Sequence, residues 1–154
     1  MQTETSSSYY LEDEFNGMLI QRNIDNNLSV LHVNARSLHK NLDYLQVYLR
    51  TLKFSVIAVS ETWTSNDSMS LLNIPGYNST SKKRTSGRGG GVALFVPNSF
   101  KFTARDDLSV FSNDNFESMF IDLTNTILGN RIIGAVYRSP VHNAVDVRGA
   151  RKTK

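Results

Sequence analysis

The chain contains no cysteine. That absence removes disulfide scaffolds, thiolate-ligated zinc, iron–sulfur clusters and cysteine nucleophiles together. Histidine is scarce: His32, His39 and His142 are scattered rather than spaced as ligands. Metal chemistry would therefore rest on carboxylates and amides, the donors suited to Mg²⁺ or Mn²⁺. No apolar run approaches the ~18–20 residues of a membrane-spanning helix, and residues 1–10 lack the basic start and apolar stretch of a secretory signal. A soluble, intracellular protein with no membrane partner is the expectation. What remains is 154 residues, 40% hydrophobic and 20% charged, enough for one domain with a real core and too apolar for wholesale disorder.

A net charge of +3 conceals a gradient. Residues 1–30 set one base against five acids, residues 141–154 set four bases against one acid, and Lys82, Lys83, Arg84 and Arg88 cluster between them. Backbone phosphates reward such local positive charge whatever their sequence, so a DNA partner is compatible with the cluster. A solvated loop accounts for it equally well.

Residues 1–27, rich in Ser, Asn and acids, read as a loosely ordered leader, and residues 141–154 as a basic, unstructured tail. The folded region is 28–140. Residues 28–34 form a short apolar run of strand length, followed by Ser37 as N-cap and by Leu42, Leu45, Leu49 and Leu52 on one helical face. Residues 54–61 form a second buried strand, close enough behind the helix for a right-handed parallel crossover. A short helix is expected over 66–72, a polar edge strand after the turn at 74–77, and strands at 92–96, 116–124 and 131–137. These elements predict an α/β fold with one mixed sheet and a helix on one face. Strands 30–33, 56–59 and 132–136 are apolar at successive positions, so both faces want covering, and one long helix cannot cover both. A second layer should be missing or supplied by a partner.

Asn34 closes the first strand and Glu61 the second, which makes them neighbours at one edge of a parallel unit. A carboxylate beside an amide there could hold a hard cation; a helix cap or solvated strand end has the same profile. Tyr137 and Arg138 end the last strand with a phenol and a guanidinium suited to phosphate, or simply precede a strand-terminating Pro140. The Gly87-Arg88-Gly89-Gly90-Gly91 segment lacks the Gly-Lys-Ser/Thr ending of a nucleotide loop and precedes a strand, so it reads as a flexible hairpin. No Gly-x-Ser-x-Gly elbow is present to support a serine hydrolase.

Five motifs in order carry a family resemblance: Val33-Asn34-Ala35-Arg36-Ser37-Leu38, Ser60-Glu61-Thr62-Trp63, Gly76-Tyr77, Arg88-Gly89-Gly90-Gly91-Val92-Ala93 and Val136-Tyr137-Arg138-Ser139-Pro140. Together they resemble the endonuclease/exonuclease/phosphatase superfamily, and within it the apurinic-type endonuclease domain of LINE-like non-LTR retrotransposons. The resemblance implies a four-layer α/β sandwich and Mg²⁺-dependent (or Mn²⁺-dependent) hydrolysis of a DNA phosphodiester. It implies Glu61 as the metal-binding carboxylate, Asn34 as the amide supporting metal and phosphate, and Tyr137 as the phenol on the scissile phosphate. Lys82, Lys83, Arg84, Arg88 and Arg138 would then serve DNA. Arg36 stands where DNA-repair relatives have an Asp, as in the retrotransposon branch.

The later family motifs, Gly-Asp-Phe-Asn and Ser-Asp-His, are not found after Pro140; Asp146 and His142 stand in other contexts. The expectation is half of a four-layer sandwich with the second sheet largely missing, one wall of the active site, and no measurable nuclease activity by this chain alone. An uncovered sheet face would favour self-association. A non-catalytic nucleic-acid or protein interaction module is the alternative, and a nuclear location follows from the family alone.

Overall fold

In the computed structural model the described residues are 28–64, 72–83, 89–112, 116–124 and 129–138, with Leu11, Glu14 and Gly17. Nearly all of the expected leader, the tail, Arg84, Arg88 and all but the last residue of the expected 66–72 helix lie outside them. The fold is mixed α/β, with two sheets and, over residues 28–138, one described helix.

The chain opens as anticipated. Strand β1 (Val30–Asn34) runs parallel to β2 (Val56–Ser60), in register Val30↔Val56 to Asn34↔Ser60. Helix α1 (Leu38–Thr51) joins them. Its three-and-four leucine spacing turns Leu38 and Leu49 into a core completed by Leu52, Ile57, Val59 and Phe95. Strands β3 (Tyr77–Lys82) and β4 (Val92–Pro97) form an antiparallel pair, and the sheet order is β1-β2-β4-β3. The polar strand β3 lies at an edge, where unpaired backbone groups can meet water.

The expectation of a single sheet with its second layer missing is overturned by the second half of the sequence. A turn in which the Phe100 N–H donates to Pro97 O redirects the chain. Strands β5 (Lys101–Ala104), β6 (Phe111–Ser112), β7 (Phe116–Thr124) and β8 (Arg131–Tyr137) then build a second sheet. β8 takes one edge of β7, and β5 and β6 share the other. Strand β7 alternates: Met119, Ile121 and Leu123 turn inward against Val56, Ala58, Val92, Leu94 and Val96 of the first sheet. This second core is dry, with Leu94, Ile121 and Leu123 at 0% exposure. Both faces of β2 and β4 are thus covered from within the chain, one by α1 and one by the second sheet. Gly134, opposite Phe120 on β8, leaves space that the Phe120 ring fills; any Cβ there would strike the ring.

Closure is incomplete on one side. The inner-facing residues of β1 stay exposed, Val30 at 49% with His32 and Asn34 beside it, because β8 lies over β2 and β4 and reaches no further. On the outer face of β8, Ile132 and Val136 are 56% and 50% exposed. Among the described residues, β1 and β8 have no strand on their outer edges. Two sheets therefore share a core over part of their width, in place of the single sheet expected. No helix among the described residues is long and apolar enough to cross a membrane.

Candidate functional site

Parallel pairing of β1 with β2 brings Asn34 level with Ser60, one residue before Glu61. The ladder continues past the strand ends: the Ala35 N–H donates to Ser60 O, the Ser37 N–H to Glu61 O and the Leu38 N–H to Thr62 O, each at 2.9 Å. The start of α1 is consequently stitched to the backbone that carries Glu61. Ser37 holds the N-cap position, as expected, yet makes no side-chain capping bond; the carbonyls of Glu61 and Thr62 receive the amides of Ser37 and Leu38 instead. Asn41 adds bonds from Nδ2 to Ala35 O at 2.7 Å and Ser37 O at 3.3 Å.

The three residues named from the family motifs meet at one carboxylate oxygen. Asn34 Nδ2 donates to Glu61 Oε1 at 3.1 Å, and Tyr137 Oη donates to the same oxygen at 2.6 Å. The second bond spans 76 positions of sequence and joins the end of β8 to the end of β2, one sheet to the other. Its length is that of a charge-assisted O–H···O⁻ bond. Asn34 Oδ1 meanwhile accepts the Arg36 N–H at 3.3 Å. In this arrangement the Asn34 amide aims a donor at the carboxylate; ligation of a cation by Asn34 would use the oxygen now turned to Arg36.

Strain gathers at the same place. Among the described residues, Arg36, Ser37, Glu61 and Trp63 are the positive-φ non-glycine residues, with φ 42°, 92°, 52° and 52°. Each left-handed residue with a Cβ costs about 1–2 kcal/mol, so neighbours must hold the turn. The glycine segment does so: Gly91 O accepts the Thr62 N–H at 3.2 Å and Gly90 O accepts the Trp63 N–H at 2.9 Å. A Cβ on Gly91, itself at φ +87°, would collide with Thr62 Oγ1. The described part of the expected flexible hairpin is therefore a close-fitting clamp.

The basic residues fall at the same end. Asn34, Ser60, Val92 and Lys82 lie in one row across the first sheet, which puts Lys82 about 14 Å from Asn34 at ~4.8 Å per strand. Lys82 Nζ is 3.3 Å from Asp106 Oδ1, an exposed ion pair that offsets part of its charge. Lys83 and Arg138 are exposed. Four further residues, assigned no role from the sequence, lie close by: Ser60, His32, Trp63 and Glu117. Ser60, 1% exposed, bonds through Oγ to His32 Nε2 at 3.3 Å, too buried to act as a nucleophile. Trp63 is 46% exposed beside Glu61. Glu117, 1% exposed, accepts the Gly91 N–H at 2.6 Å. His32 could have been found from its spacing of two from Asn34, which puts both on one face; Glu117 carried no such signal.

A hard cation needs several oxygen donors, and Mg²⁺ is often held by one or two carboxylates plus phosphate oxygens and water. Among the described residues no three His, Asp or Glu side chains gather into a cluster. Glu61 thus fits one position of such a shell and leaves the others to phosphate, water or further residues. A groove of about 460 Å³ between α1 and β1 reaches this edge at Asn34 and Arg36, but its lining of Leu31, Val33, Tyr44 and Tyr48 is too apolar for that chemistry. No family model matches the chain, and the search of curated proteins found no match.

Proposed function

We propose that the chain is one part of an endonuclease/exonuclease/phosphatase-type domain related to retrotransposon endonucleases, inactive by itself. The observation that supports this reading best is the convergence of Asn34, Glu61 and Tyr137, from three distant motifs, on a single carboxylate oxygen. On this reading Glu61 supplies a carboxylate to Mg²⁺ or Mn²⁺. Asn34 orients that carboxylate through its NH₂ group, and Tyr137 is poised to exchange its bond to Glu61 for one to a phosphate oxygen. When bound, the cation would neutralise charge developing on the phosphate. Lys82, Lys83 and Arg138 would receive the flanking backbone phosphates.

The edges of β1 and β8 that carry no strand among the described residues lie on the side where the inner face of β1 is uncovered. Further strands added there would widen both sheets into the four-layer sandwich and bring the opposing groups to Glu61. Phosphodiester hydrolysis is among the slowest uncatalysed reactions, and losing single members of a cooperating catalytic unit costs roughly 10⁴–10⁶ in rate. One wall alone should not hydrolyse DNA measurably. Incubation of the chain with supercoiled DNA and MgCl₂ should give no nicking; nicking abolished by Glu61→Ala would overturn the inactivity.

A second reading, a binding module without hydrolysis, is favoured by the exposed basic residues at the site's end of the sheets. Salt-dependent DNA binding that survives Glu61→Ala would support it. Self-association, if it occurs, would use the β1 and β8 edges, and sedimentation would reveal it.

A further inference from the structure

We propose that Glu117 is a positioning residue whose buried carboxylate locks the turn carrying Glu61 and Trp63. A carboxylate at 1% exposure is costly to bury unless strong donors face it. Glu117 Oε2 receives the Gly91 N–H at 2.6 Å, a charge-assisted bond. The carbonyl of the same glycine receives the Thr62 N–H, and the carbonyl before it receives the Trp63 N–H. Residues 61–63 are therefore gripped from two sides, by the start of α1 through Glu61 O and Thr62 O and by Gly90 and Gly91 on the other side. The first grip is fixed by the helix. The second belongs to a segment that must hold glycines at φ +74° and +87°, and Glu117 ties it to the second sheet.

The register explains why this position carries the acid. Glu117 lies directly opposite Tyr137 in the β7–β8 ladder, with both side chains turned inward. One cross-strand pair thus delivers two contacts to the first sheet: the phenol to the Glu61 side chain and the carboxylate, through Gly91, to the Glu61 turn. Displacing the second sheet would loosen both together.

Trp63 is the only tryptophan and sits on the locked turn, so the lock has a built-in reporter that needs neither metal nor activity. In the full chain without metal, the Gly91 amide proton should resonate far downfield. Glu117→Ala should abolish that shift, red-shift Trp63 emission and raise its quenching by acrylamide, while Glu117→Gln, which keeps an acceptor, should preserve most of the emission. Should Glu117→Ala fail to fold, Glu117→Gln decides. An upfield move of the Gly91 amide accompanied by moves of the Thr62 and Trp63 amides supports the lock; a Gly91 amide left unmoved, or one that moves alone, overturns it. The consequence for chemistry rests on the reading of Glu61 as the metal carboxylate. MnCl₂ broadening of the Glu61 amide in wild type, weakened in Glu117→Gln, supports that consequence. Absence of broadening in wild type refutes the reading of Glu61, and the metal-free result judges the lock separately.

Discussion

Replacing Tyr137 by phenylalanine removes one oxygen and leaves the ring, which makes it the cleanest probe of how the two sheets are joined at the site. The lost bond is a 2.6 Å contact to a carboxylate oxygen by a half-buried phenol. Hydrogen bonds to charged groups contribute about 1.5–3 kcal/mol, and partial exposure points to the lower end, about 1.5 kcal/mol. That is roughly a tenfold fall in the folding equilibrium. Urea denaturation followed by far-UV circular dichroism should show a lower midpoint at unchanged slope. Much of the loss should vanish in a Glu61→Ala background, because the phenol then has no carboxylate to meet. Single and double substitutions that add to within about 0.3 kcal/mol would mean that the two groups do not interact, and the inter-sheet link would be wrong.

Three other outcomes follow from the geometry. Leu94→Ala cuts a fully buried side chain between the two sheets and should cost about 2–5 kcal/mol in urea unfolding; a loss below ~1 kcal/mol would mean that the sheets are not tightly packed. Gly91→Ala forces a Cβ into Thr62 Oγ1 at φ +87° and should destabilise by more than about 1 kcal/mol, with a shift in Trp63 emission. The Asp107 carboxyl is held below its ordinary range by its hydrogen bonds from the Arg105 guanidinium, at 2.7 Å each. The stability it lends is present above the ordinary carboxylate range and is lost as pH falls through the lowered value. An NMR titration should find Asp107 titrating lower in wild type than in Arg105→Ala.

Sequence reasoning reached the elements whose signals are local. The period of Leu42, Leu45 and Leu49 marks α1, and the apolar runs around Val30 and Val56 mark the strands beside it. It also brought Asn34 and Glu61 together, since a parallel crossover dictates that adjacency. Assigning strands to sheets was beyond it. An apolar strand looks alike whether it extends one sheet or covers another, and the choice is made by the turn at 97–100 and by which face of β7 meets Leu94. Strands β5 and β6 were missed because Lys101–Ala104 and Phe111–Ser112 are short and partly polar. Glu117 carries no local signal; only the register that sets it opposite Tyr137, and the nearness of Gly91, give it a role.

The account stands on Glu61 being the carboxylate of a metal and phosphate site, and paramagnetic broadening of backbone amides by Mn²⁺ asks that directly. With MnCl₂ in the millimolar range that a lone carboxylate and its partners would require, the amides of Asn34, Glu61 and Thr62 should broaden first in the wild-type chain, and Glu61→Gln should abolish the effect. Broadening centred on Asp106 and Asp107, or broadening around Glu61 that Glu61→Gln leaves intact, would contradict it.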